Sequence, residues 1–176
     1  MTRKKRFFVF LIFLIIFTIA YSIGAESKVS TEDAEAFLKE FQLAIEGIDA
    51  VGIFVHNTSI ALPMFIPGFG VIWGVFAAWS TGFAFSALET TTPLLSKIPP
   101  LALLFVSPFG LMELAAYSIG MSRSFILIQT ILKKKSIKLE LPQTAIEVGI
   151  VVALLLAGGF IEFVMIEEFG DLDLPT

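Results

Sequence analysis

The chain has 176 residues, 56% of them hydrophobic and only 16% charged, with a mean hydropathy of +0.89; an average soluble domain carries roughly 25% charged residues. That composition excludes disorder and argues against a water-soluble globule, because this much Phe, Leu and Ile cannot be hidden beneath a polar surface. No Cys and a single His leave no disulfide framework, no thiol nucleophile and no basis for a His-rich metal centre.

In chain order, Arg3, Lys4, Lys5 and Arg6 precede an uncharged apolar run from Phe7 to Ile23, about 25 Å of helix against a bilayer core of ~30 Å. The run is either a signal peptide or a first span; its length exceeds that of a usual signal core, which favours a retained helix over residues 1–25. From Ser30 to Ala50, Ser30 or Thr31 can cap a helix whose first turn carries Glu32, Asp33 and Glu35. Phe37, Leu38, Phe41, Ala44, Ile45 and Ile48 then recur at helical spacing. This predicts an amphipathic, extracytoplasmic helix within 26–50 that docks on its own bundle or on a partner.

A four-span membrane core is expected over 47–166. Its spans run from Gly47 to Met64, from Gly68 to Leu88, through the region Leu101 to Leu132, and from Thr144 to Ile166. A tight turn from Pro63 to Pro67 and a loop from Thr90 to Pro100 separate the first three. As one straight helix, Leu101 to Leu132 would reach about 48 Å and overshoot a bilayer. Pro108 and Gly110 supply the break, giving a half-helix from Leu101 to Ser107 and a full span from Phe109. An acidic tail over 167–176 closes the chain. The fold expected is therefore all-α: a polytopic membrane bundle of about five transmembrane helices, one broken near Pro108.

Charge supports an odd number of crossings. With the N-terminus cytoplasmic, Arg3, Lys4, Lys5, Arg6, Lys133, Lys134, Lys135 and Lys138 share one side, while Lys28, Lys39 and Lys97 lie on the other. This predicts a multi-pass protein of the cell membrane with an extracytoplasmic C-terminus. Gly70, Gly74, Ala78, Gly82 and Ser86 form a small-residue stripe that lets another helix approach closely, within the chain or across a homo-oligomer. A shorter stripe of Gly149, Ala153 and Ala157 is its expected partner.

Polar residues in these spans need shelter, since a carboxylate at the centre of a span costs at least ~2.5 kcal/mol. Glu113, Glu162, His56, Asn57 and Arg123 are the candidates. In one reading they reach interfacial water or make interhelical hydrogen bonds. In the other, Glu113, Glu162, His56 and Asn57 converge on a pocket beside the Pro108 break, for a cation, a lipid headgroup or a partner helix. Arg123 is about 15 Å along the helix from Glu113, too far for a direct pair. Phosphate loops, zinc-hydrolase and serine-hydrolase motifs are missing. Neither an enzymatic activity nor a cofactor is expected, and the Lys133 to Lys138 cluster is explained by topology and anionic lipid rather than by nucleic acid.

Four segments occur in a recognisable order: Phe54-Val55-His56-Asn57; a Gly-rich span ending at Thr81-Gly82; Ser107-Pro108-Phe109-Gly110-Leu111-Met112-Glu113-Leu114-Ala115-Ala116; and Gly159-Phe160-Ile161-Glu162-Phe163. Over about Phe41 to Ile166 this resembles the stage II sporulation protein M family of integral membrane proteins. Pro108, Gly110, Glu113 and Ala116 carry the most specific part. Phe109 stands where the family usually has His, His56-Asn57 where it often has two Asn, and Thr81 where Asn is common. The resemblance implies a membrane scaffold or complex subunit that, in spore formers, recruits a peptidoglycan hydrolase and another membrane subunit. Other membrane or membrane-associated proteins are then the expected partners. A small transporter or lipid-translocating protein built on the intramembrane polar residues is the alternative.

Overall fold

The computed structural model describes residues 2–45, 47–91 and 98–169. They form seven α-helices and two 3-10 turns, with no strand among the described residues. The helices are α1 (Arg3–Ala25), α2 (Thr31–Ile45), α3 (Ala50–Ala61), α4 (Phe69–Thr91), α5 (Pro100–Val106), α6 (Pro108–Leu132) and α7 (Leu141–Phe169). The expected Thr90 to Pro100 loop and the acidic tail fall largely outside the described residues, as do the side chains of Phe41, Ala44 and Ile45.

Helix α1, α4, α6 and the stretch Leu141–Glu168 of α7 are long and apolar enough to cross a membrane. The expected second span is shorter than the sequence suggested. Asp49 caps α3 by accepting from Gly52 N at 2.7 Å, and the α-helix stops at Ala61, passing into a 3-10 turn, Leu62–Phe65. Its 12 residues reach only about 18 Å. Pro63 and Pro67 offer no N–H to continue an α-helical ladder. Two side chains satisfy carbonyls near this irregular stretch: Trp73 Nε1 donates to Ile60 O at 2.9 Å and Ser124 Oγ to Ile66 O at 2.6 Å.

The break at Pro108 has a local cause. Ser107 is extended (φ −74°, ψ 134°) and its hydroxyl accepts from Gly110 N at 3.0 Å, while Pro108 occupies the first helical position, where a missing N–H costs nothing. Helix α2 begins at the Ser30 cap, which accepts from Asp33 N at 3.2 Å. It docks on the bundle itself: Ala34 is buried and the Phe37 ring meets Phe83 of α4 edge-on at 6.3 Å.

Contacts fix the directions of the helices. Tyr21 lies against Gly82, and Ser86 Oγ donates to Ser27 O at 2.6 Å, so α1 and α4 run parallel. The chain between them must return. It does so through α3, the 3-10 turn and Gly68, which meet Glu113, Gly120 and then Ile128 of α6 in that order. Helix α6 runs against α4 and α7, since Gly74 touches Met121 and Gly158 touches Met112. Arg3 to Arg6, Lys133 to Lys135 and Lys138 consequently gather at one end of the bundle, hereafter the basic end.

Phe13, Phe17, Tyr21, Met64, Tyr117 and Met121 centre the core, where Phe17 stacks on Tyr117 at 5.6 Å. The stripe Gly70, Gly74, Ala78, Gly82 and Ser86 is wholly buried, but its partner is not α7. A side chain at Gly82 would collide with the Tyr21 carbonyl, and one at Gly24 with the Trp79 carbonyl, so α1 and α4 interlock through glycine on both sides. Met121 of α6 and Met64 of the 3-10 turn cover Gly74 and Gly70. Gly149, Ala153 and Ala157 face outward instead. Helix α7 packs through Glu147, Val151, Leu155, Gly158 and Gly159, a face rotated away from that stripe.

Candidate functional site

Two polar clusters interrupt the apolar packing, one toward each end. At the basic end, Arg6 lies in the second turn of α1, Arg123 in the C-terminal half of α6 and Glu147 in the second turn of α7. Glu147 is gripped by both guanidinium groups. Arg6 donates from Nε to Oε1 and from Nη2 to Oε2, each at 2.8 Å. Arg123 donates from Nε to Oε2 at 2.7 Å and from Nη2 to Oε1 at 2.6 Å. Both pairs are two-pronged, the geometry in which a guanidinium and a carboxylate fit best.

The network extends outward. Arg123 Nη1 meets Glu140 at 2.9 Å, Arg6 Nη1 donates to Ser122 Oγ at 2.9 Å, and Gln143 Nε2 donates to Glu147 Oε1 at 3.3 Å. Only 1% of the Arg123 side chain and 7% of that of Glu147 is exposed. Charges this sheltered are tolerable only when each finds a full set of partners. The result ties α1, α6 and α7 together by electrostatics where the apolar core thins out. Beside the network lies a half-open cavity of about 670 Å³, bounded by the first turns of α1, by α6 and by the start of α7.

Toward the opposite end, Asn57 of α3 donates from Nδ2 to Glu113 Oε1 of α6 at 2.6 Å. Glu162 of α7 and Tyr117 of α6 lie close enough to Glu113 to interact with it electrostatically. Compensation here is partial. Glu162 Oε2, Thr58 Oγ1 and Ser118 Oγ are buried and have no hydrogen-bond partner among the described residues.

Of the five residues singled out from the sequence, Asn57, Glu113 and Glu162 are brought together on α3, α6 and α7. His56 is not part of the group. It neighbours Asn57 in sequence, but adjacent helical positions point about 100° apart, so burying Asn57 leaves His56 exposed. Arg123 belongs to the basic-end network rather than to the Glu113 cluster. Pro108, Gly110, Glu113 and Ala116 all fall in the first nine residues of α6, where Gly110 and Ala116 are buried. The sequence reading missed Glu147 and the inward role of Arg6. The signal was present: an Arg inside a span needs a carboxylate at matching depth, and Glu147 is the acid near the basic start of the neighbouring span.

Comparison with known proteins adds the lineage. No curated protein and no solved structure matches significantly. A family model, Stage II sporulation protein M, matches residues 7–165. The match takes in α1 as well as the region that carried the resemblance, and it covers both polar clusters except for Arg6. With the family motif at the start of α6 and four helices able to cross a membrane, the chain belongs to the stage II sporulation protein M family.

Proposed function

We propose that this membrane protein is a multi-pass, non-enzymatic scaffold or complex subunit, with the basic end cytoplasmic and the C-terminus extracytoplasmic. The observation that carries the reading is the way α2 is mounted. Ala34 and Phe37 fix it on α4, and Glu32, Asp33, Glu35 and Glu40 stand exposed on its outer side. An amphipathic helix docked on its own bundle, with four exposed acids against the single exposed cation Lys39, is a preformed surface for a partner of complementary charge. The orientation is supported by eight of the twelve Lys and Arg residues gathering at one end of the bundle.

Two experiments test it. The chain has no Cys, so single cysteines can report sidedness: Lys28→Cys is expected to react with an impermeant thiol reagent on intact cells, and Lys138→Cys only after permeabilisation. A photocrosslinking residue at Glu35 should give one discrete adduct in native membranes, abolished by Glu32→Lys with Asp33→Lys. A smear unaffected by charge reversal would overturn the scaffold reading.

A second reading, a small transporter, is favoured by one feature, the unpartnered Glu162 Oε2 beside Glu113. It requires solute flux or lipid scrambling in proteoliposomes of the purified chain that Glu113→Gln abolishes. Absence of flux together with the Glu35 adduct leaves the scaffold.

A further inference from the structure

The cavity at the basic end has walls of two kinds. Arg3, Arg6 and Arg123 line it together with Glu140 and Glu147, three cations against two acids, and Lys138 lies in the 3-10 turn beside it. Arg123 is committed to Glu147 and Glu140 with its side chain only 1% exposed, whereas Arg6, 18% exposed, keeps one Nη1 N–H beyond its bonds to Glu147, Ser122 and the Ile119 carbonyl. Arg3 has no acidic partner among the described residues and stands exposed at the rim. The remaining wall is hydrocarbon-like: Phe7, Phe10 and Ile150 face the cavity, and Phe7 and Ile150 are 61% and 45% exposed. Its volume of about 670 Å³ falls within the ~300–1,000 Å³ of small-molecule sites.

A ligand matching both walls has an anionic head and an alkyl body. We propose that this groove is a binding site for an anionic phospholipid, whose headgroup phosphate is held by Arg3 and by the remaining Nη1 donor of Arg6. The acyl chains lie along Phe7, Phe10 and Ile150. A basic pocket between spanning helices at the cytoplasmic face is where such lipids are held. A free phosphate would satisfy the arginines and leave the aromatic wall wet; a zwitterionic lipid would satisfy the wall and bring no net negative charge. Headgroup binding there would also brace the joint of α1, α6 and α7. The inference rests on the membrane orientation proposed above and is independent of the scaffold role.

The test uses the full chain purified in an uncharged detergent and offered phosphatidylglycerol and phosphatidylcholine together, with retained lipid read by native mass spectrometry. One phosphatidylglycerol per chain is expected, preferred by about tenfold. Arg3→Gln should weaken retention about fivefold, the equivalent of ~1 kcal/mol for one basic contact, without moving the melting temperature. Arg3→Lys should keep most of the binding, and Lys4→Gln, outside the cavity, should change nothing. Equal retention of the two lipids, or a Lys4→Gln effect as large as that of Arg3→Gln, would sink the proposal, the latter by showing diffuse attraction instead of a site. Displacement of phosphatidylglycerol by inorganic phosphate at equal concentration would overturn it in favour of a phosphate site. Should cysteine labelling reverse the orientation, the membrane reading fails; should labelling hold while lipid selectivity is missing, only the lipid site fails.

Discussion

The two ends of the bundle treat a membrane carboxylate in opposite ways. Glu147, at the basic end, is met by two guanidinium groups and an amide. Glu113, toward the other end, is met by one amide and sits within electrostatic reach of a second carboxylate, Glu162. One end is therefore closed chemically, and its charges fasten helices; the other retains buried oxygens without partners. The identity of the acid says little about its role. What decides is whether the neighbours supply counter-charge.

The largest expected effect follows from breaking the closed end. Glu147→Ala leaves Arg123 with Glu140 alone and Arg6 with no acidic partner in a sheltered site, a loss of about 3–5 kcal/mol by analogy with other buried pairs. Thermal melts of the purified chain in detergent measure it. Glu147→Gln keeps the volume and removes the charge, so it should fall close to the alanine variant. If Glu147→Gln melts with the wild type, the network is ornamental and the contrast between the ends fails.

Next in size is the interlock of α1 with α4. Gly82→Val drives a side chain into the backbone at Tyr21, an overpacking loss of about 3 kcal/mol. Gly149→Val is the control, because nothing lies within 4 Å of a side chain there. Equal losses at the two positions would contradict the assignment of the packing faces. A smaller effect is expected at the open end. Asn57→Ala and Glu113→Ala should each cost about 1 kcal/mol, and a double-mutant cycle should return a coupling of ~0.6 kcal/mol and no more than ~1.7 kcal/mol, the mean and the ceiling for interhelical hydrogen bonds in membranes.

These contrasts separate what the sequence carried from what it withheld. Helices α1, α4, α6 and α7 and the break at Pro108 were legible, because apolar runs, proline and capping residues act locally. The truncation of α3 at Ala61 was harder to read: the apolar Ile60, Ala61 and Leu62 run directly into Pro63, and the halt comes from prolines acting a turn upstream. Pairing was the least legible. Gly149, Ala153 and Ala157 have the spacing of a packing stripe, yet α7 turns another face inward. That choice follows Glu147, which must reach Arg6 and Arg123 on two other helices, a long-range requirement that no window of sequence contains. Asn57 and Glu113 could be flagged singly as polar residues in apolar runs, but their meeting depends on the return path through the 3-10 turn.

The mildest prediction sits where α6 leaves the basic end. Lys135 N donates to Thr130 O at 3.0 Å and Lys134 N to Ile131 O at 2.8 Å, the paired bonds of a Schellman termination, with Lys134 at φ +54°. Glycine is the residue that adopts this left-handed backbone without strain, and a side chain there costs about 1 kcal/mol. Lys134→Gly should therefore stabilise the chain by up to that amount, whereas Lys133→Gly, just before it at φ −82°, should give no gain. The pair also sharpens the comparison of the ends. Lys134→Gly removes one cation from the basic cluster without touching Glu147, so a gain in melting temperature would mean that the cluster's stabilising role lies in Arg6 and Arg123 and not in its total charge.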